Sequence, residues 1–78
     1  MNFSLLNLAE VRGRIRRSRG TIYVEIARGI FPRPLKIGKR SFWRDDEIED
    51  LLVAYAAGSS PAELSRLCEE FYTRRLAR

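Results

Sequence analysis

Arg14, Arg16, Arg17 and Arg19 crowd one short run of this chain, and Arg28, Arg33, Lys36, Lys39, Arg40 and Arg44 follow within residues 28–44, a stretch without a single acid. Guanidinium and ammonium groups at this density suit phosphate oxygens, because each donates charge-assisted hydrogen bonds. Residues 12–44 hold eleven basic residues against the lone acid Glu25, a local charge of +10, whereas residues 45–78 hold eight acids and four bases, or −4. Positive charge gathered in mid-chain is the pattern of a polyanion-binding face. The alternative is a solvated basic surface without a ligand. Large apolar residues, Phe31, Leu35, Ile37, Phe42 and Trp43, interrupt the charge. Disordered cationic segments are poor in such side chains, so this one is expected to fold.

Catalytic chemistry finds little to work with. The chain has no histidine and one cysteine, Cys68. That removes the commonest general base, any intramolecular disulfide and a plausible zinc site. No serine or cysteine has a partner for nucleophilic attack, so an enzyme is not expected, nor a metal or cofactor. Cys68 reads as a small buried hydrophobe.

Seventy-eight residues, 45% hydrophobic and 32% charged, describe one small soluble globular domain. A chain of this size buries only about 60% of the surface it exposes when unfolded, so its core is small. No apolar run approaches the roughly 20 residues that span a bilayer. The opening MNFSLLNLAEVRGR lacks the charged, apolar and small-residue order of a secretory signal, and a cytoplasmic location is the expectation.

Leu5, Leu8 and Val11, spaced by three, predict a first helix that Asn7 can cap and that ends near Gly13. Ser18 predicts the start of a second, which stops at Gly29 with Ile22 and Ile26 on its inner face. Two helices joined by four to five residues, the second Arg-rich at its start, have the organisation of a helix-turn-helix. Pro32 and Pro34 then forbid helix. LKI and SFW flank Gly38-Lys39-Arg40 and predict a two-stranded hairpin, with Leu35 and Ile37 on the core side and a cationic tip, a wing. Asp45-Asp46-Glu47 opens a third helix with stripe Ile48, Leu51, Leu52 and Tyr55, ended by Gly58. Ser60, Pro61 and Glu63 form a capping box for a fourth, with stripe Leu64, Leu67, Cys68, Phe71 and Leu76. The expected fold is mainly α with a small β-hairpin: a winged helix-turn-helix, residues 1–57, plus a C-terminal amphipathic helix, residues 58–78. That helix either packs back on the domain or mediates self-association.

The run Ser18-Arg19-Gly20-Thr21-Ile22-Tyr23, the string Gly29-Ile30-Phe31-Pro32-Arg33-Pro34-Leu35-Lys36-Ile37-Gly38-Lys39-Arg40, then Trp43 and Glu47-Ile48-Glu49, resemble the AlpA-type phage regulatory proteins. These are winged-helix proteins related in fold to excisionases and to the DNA-binding part of MerR regulators. The resemblance spans roughly residues 5–55, and its most specific piece is Phe-Pro-x-Pro-x-Lys-x-Gly-x-Arg followed by Trp. It implies sequence-specific DNA binding, with the second helix in the major groove and the hairpin tip near the backbone or minor groove. Carried over, Ser18, Arg19 and Thr21 face the groove, Lys39 and Arg40 sit on the wing, and Trp43 and Ile48 are core. Two features depart from the family: Arg16 and Arg17 stand where it usually has a glycine and an apolar residue. Gly20 and Val24 stand where it often has polar or basic ones.

The expected recognition-helix set is therefore Ser18, Arg19, Gly20, Thr21, Tyr23, Val24 and Arg28. Arg14, Arg16 and Arg17 are backbone contacts from the turn, and Lys36, Lys39 and Arg40 belong to the wing. Arg19 suits a bidentate bond to guanine or a phosphate contact, and Val24 a thymine methyl or plain exposure. Phe31, Phe42 and Trp43 are expected beneath the wing rather than as a stacking platform for single strands. The expected function is that of a double-stranded-DNA-binding protein of a bacterial prophage or integrative element. It would act as an excisionase, that is a recombination directionality factor, or as a transcriptional regulator, or both. A module of this size buries only about 600–1,000 Å² on DNA, so several copies are expected side by side, with a site-specific recombinase or RNA polymerase as further partner. The rival is a protein-interaction adapter whose docking surface is Gly20, Val24 and the fourth helix.

Overall fold

Asn7 decides where the first helix begins. In the computed structural model, which describes residues 2–77, its side chain accepts from the Glu10 amide at 2.9 Å while Glu10 reaches back to the Asn7 amide at 2.9 Å. This reciprocal box satisfies two amides that a helix start leaves free. Helix α1 is Leu8–Ile15, so Leu5 lies outside it. Leu5–Leu6 instead forms a strand, β1. The spacing of three that suggested helix is shared by chance between a strand residue and two helical ones. Helix α1 also runs past Gly13 and closes on Arg16, which takes φ 53° and ψ 48°.

Helix α2, Arg19–Ala27, starts on Ser18 and ends in a motif in which Gly29, at φ 77°, donates to Ile26 O and Ile30 donates to Glu25 O. Glycine is suited to this left-handed position, and the paired bonds satisfy the last carbonyls. The wing follows as β2, Leu35–Ile37, and β3, Arg40–Arg44, antiparallel in the register Leu35↔Phe42, Lys36↔Ser41, Ile37↔Arg40. The connecting turn is thus Gly38-Lys39, with Gly38 at φ 62°, and Arg40 belongs to the strand rather than to the turn. Strand β1 pairs on the other side of β3, Leu5↔Arg44 and Leu6↔Trp43, giving a three-stranded sheet in the order β1-β3-β2.

This register corrects the expected core face of the wing. Side chains directly opposite share a face, so Leu35, Ile37, Phe42 and Arg40 lie together, and alternation puts Trp43 on the other side. Trp43 is the one wholly buried; Ile37 is 54% exposed and Phe42 half-buried. A hairpin this short touches the core only at its base, where Trp43 sits.

Helix α3, Asp45–Ala56, carries three acids in its first turn and stops at Gly58. Helix α4, Pro61–Leu76, begins with a Ser60–Glu63 capping box. Leu64 of α4 joins one apolar cluster with Leu6, Val11, Ile15, Ile22, Ile30, Phe31, Trp43, Ile48 and Leu51, and Cys68 and Phe71 are buried beside it. Leu76 does not follow that stripe and is 84% exposed. Burial pushes the Cys68 thiol up to about 11, so it stays protonated and unreactive.

Candidate nucleic-acid interface

The start of α2 is built by its own hydroxyls. Ser18 Oγ accepts from the Thr21 amide at 3.1 Å and donates to Thr21 Oγ1 at 3.0 Å, which fixes the first turn of α2. Arg19, Gly20, Thr21, Val24 and Arg28 are exposed, Val24 to 59%, and Tyr23 is at 36%. No atom lies within 4 Å of where a Cβ on Gly20 would sit. The Arg19 guanidinium lies 5.7 Å from the Tyr23 ring centroid, one helical turn on.

Helix and wing meet at a shallow groove of about 270 Å³, lined by Arg19 and Tyr23 from α2, by Arg40, Ser41 and Phe42 from β3, and by Asn7 and Leu8 at the start of α1. Two guanidiniums from elements far apart in sequence therefore border one depression. Phe42 forms part of its wall, which is why it is only half-buried. Lys36 bonds Ser41 Oγ at 2.8 Å, on the opposite side of the hairpin from Arg40. Lys39 projects from the turn and is exposed.

The turn between α1 and α2 splits its arginines. Arg14 and Arg16 are exposed and, among the described residues, in none of the four ion pairs. Arg16 holds a left-handed conformation that costs a non-glycine residue roughly 1–2 kcal/mol. Arg17 behaves differently: its guanidinium pairs with Glu25 and lies 4.5 Å from the Tyr55 ring centroid, joining the turn to α2 and α3. Its carbonyl also accepts from Arg12 Nε at 3.4 Å. The lone acid of the basic stretch thus has a structural partner, and a single Glu among eleven cations was the available signal. Burial pushes the Tyr55 hydroxyl up to about 12, so it stays neutral beside that pair.

Arg44 is occupied as well. It bonds Asp46 through Nε at 3.0 Å and Nη2 at 2.6 Å and stacks 3.8 Å from the Phe3 centroid. The hydrogen bond from Arg44 is the main reason the Asp46 carboxyl lies below its ordinary range. The cations facing solvent are therefore Arg14, Arg16, Arg19, Arg28, Lys36, Lys39 and Arg40 among the expected site residues.

Two helices joined by a tight turn, followed by a hairpin that shares a groove with the second, define a winged helix-turn-helix. Residues 4–52 match the family described as "Prophage CP4-57 regulatory protein (AlpA)", and the chain belongs to that family of regulatory, DNA-binding proteins. No match arises among curated proteins or solved structures. The family match ends within α3, so α4 lies wholly beyond it. No helix among the described residues is long and apolar enough to cross a membrane.

Proposed function

We propose that this chain binds double-stranded DNA in a sequence-specific manner and serves a bacterial mobile element as an excisionase, a transcriptional regulator, or both. The observation that carries this reading is the groove that Arg19 and Tyr23 share with Arg40. Helix α2 lies in the major groove with Ser18, Arg19, Gly20, Thr21, Tyr23, Val24 and Arg28 toward the bases. Arg14 and Arg16 meet phosphates, while Lys36, Lys39 and Arg40 follow the adjacent minor groove or backbone. Arg17, engaged by Glu25, acts as a strut for α2 rather than as a contact.

Nothing lies within 4 Å of where a Cβ on Gly20 would sit, so the surface of α2 is open to close approach there. Residues 1–57 form the DNA-contacting unit and residues 58–78 support it. Since Gly20 and Val24 offer base edges no hydrogen bond, specificity rests on Arg19, on DNA shape and on several copies bound side by side, at the nucleoid, with a recombinase or RNA polymerase as partner.

The test is the double variant Arg19→Ala plus Arg40→Ala. At about 1–3 kcal/mol for each lost contact, affinity for a bound duplex falls about 30-fold or more. The exposure of Val24 and Ile37 favours the adapter as second reading. Unchanged DNA affinity, or retained binding of a protein partner with no DNA affinity in the parent, puts the adapter ahead.

A further inference from the structure

The segment Pro32–Pro34 enters the wing without any ladder of backbone bonds, because two of its three residues lack an amide hydrogen. Its remaining polar groups nevertheless all have partners up to the Arg33 carbonyl. Trp43 Nε1 donates to Pro32 O at 2.8 Å, the Arg33 amide donates to Tyr72 Oη at 2.9 Å, and Arg75 Nη2 donates to Arg33 O at 2.8 Å. Two of the three partners come from α4, beyond the family match.

Tyr72 is held in turn. The Arg33 guanidinium lies 4.2 Å from its ring centroid and that of Arg75 lies 5.2 Å away. Arg75 is itself anchored to the buried Glu47 through bonds of 3.0 and 2.6 Å. A side chain so fixed offers its hydrogen bonds at a set place, so both polar groups of the Arg33 backbone are located by α4.

We propose that Tyr72 and Arg75 are positioning residues for the wing: α4 clamps the base of the hairpin through the Arg33 backbone and so sets where Lys39 and Arg40 meet DNA. The proposal rests on the DNA-binding reading for its consequence but not for its geometry. Arg33 lies two residues before β2, so freedom at this point swings the whole hairpin relative to α2. The gain for the protein is a wing held in place before binding, which lessens the ordering cost on the complex.

Tyr72→Phe tests this with little risk to folding, since it removes one hydroxyl and keeps the ring near its two guanidiniums. Two readouts are taken. Hydrogen exchange at the Arg33 amide is expected to quicken about two- to tenfold, the worth of one net hydrogen bond. Affinity for a duplex bound by the parent is expected to fall by about the same factor, because the lost bond limits how far the wing's populations can shift.

The fall should disappear when the same substitution is made in a Lys36→Ala, Lys39→Ala and Arg40→Ala background, where none of the wing cations assigned to DNA is left to position. A loss of equal size in both backgrounds would mean a general effect on folding and overturn the clamp. So would unchanged exchange at Arg33. If the parent binds no duplex, the functional reading falls and the clamp loses its role, yet faster Arg33 exchange would still show α4 holding the wing base.

Discussion

Trp43→Ala is expected to lower the free energy of unfolding by about 3–5 kcal/mol, the range for truncating a large buried aromatic. Trp43 has no exposed surface, lies in β3, the central strand of the sheet, opposite Leu6, and meets Phe31 edge-on with ring centroids 6.5 Å apart. Its removal leaves a cavity where wing, β1 and the Pro32 turn converge. It also strands the Pro32 carbonyl, whose bond from Trp43 Nε1 is buried. A domain of this length holds in all about 4–12 kcal/mol, so this loss is a large fraction of the total. Trp43→Phe separates the two terms, since it keeps most of the volume and loses the bond, with an expected cost of about 1–3 kcal/mol. Urea unfolding followed by circular dichroism reads both, independent of the lost fluorophore. A loss below 1 kcal/mol for the alanine variant would contradict the placement of the wing base in the core.

Glu47→Ala is expected to cost a similar amount, about 3–5 kcal/mol, for a different reason. Glu47 is 3% exposed and accepts two of the three guanidinium bonds of Arg75, whose side chain is only 14% exposed. Truncating the carboxylate leaves a guanidinium with little water and no counter-charge. The size of the effect comes from that stranded cation, not from any large net gain of the pair. Replacing both partners, Glu47→Leu with Arg75→Met, is therefore expected to recover most of the loss. The Arg74–Asp50 pair offers the contrast: at 3.4 Å with side chains 55% and 48% exposed, it contributes at most about 1 kcal/mol, and Asp50→Ala should change little. Thermal or urea unfolding of the three variants checks the order. An equal, small cost for Glu47→Ala and Asp50→Ala would contradict the buried character of the first pair.

Much of the architecture can be read directly because its signals are local. Asn7, Ser18 and Ser60 cap helices through side chains three residues from their partners, and Gly29 and Gly58 stop helices at positive φ. What escapes a reading along the chain depends on distant partners. Leu5 and Leu6 are a strand because Trp43 and Arg44 are there to pair with them, and no spacing among neighbours reports that. The core face of the wing goes to Trp43 rather than to Leu35 and Ile37, since which face meets the core is settled by the body of the protein and not by alternation alone.

The interface shows the same division. That residues 28–44 are cationic is plain from composition, whereas the roles of single cations are not. Arg17 looks like its neighbours in sequence and differs because Glu25, eight residues on, reaches it in space, whereas Arg44 is met by Asp46 only two residues away. Arg75 reads as a cation suited to the end of α4, a role its position permits; its bonds to Glu47 and to the Arg33 carbonyl appear only once α4 is laid against the base of the wing.

The most direct test of the account is a titration of the purified chain on tiled duplexes from around its own gene and the nearest integration site, at several salt concentrations, with a random duplex as reference. With about five cations meeting phosphates, the logarithm of the association constant should fall against that of salt with a slope of about −4.5. One segment is expected to bind at least about a hundredfold tighter than the random duplex, filling in steps, within the range by which specific binding exceeds non-specific. Uniform weak binding that vanishes by physiological salt would contradict it and leave the basic face without a specific DNA partner.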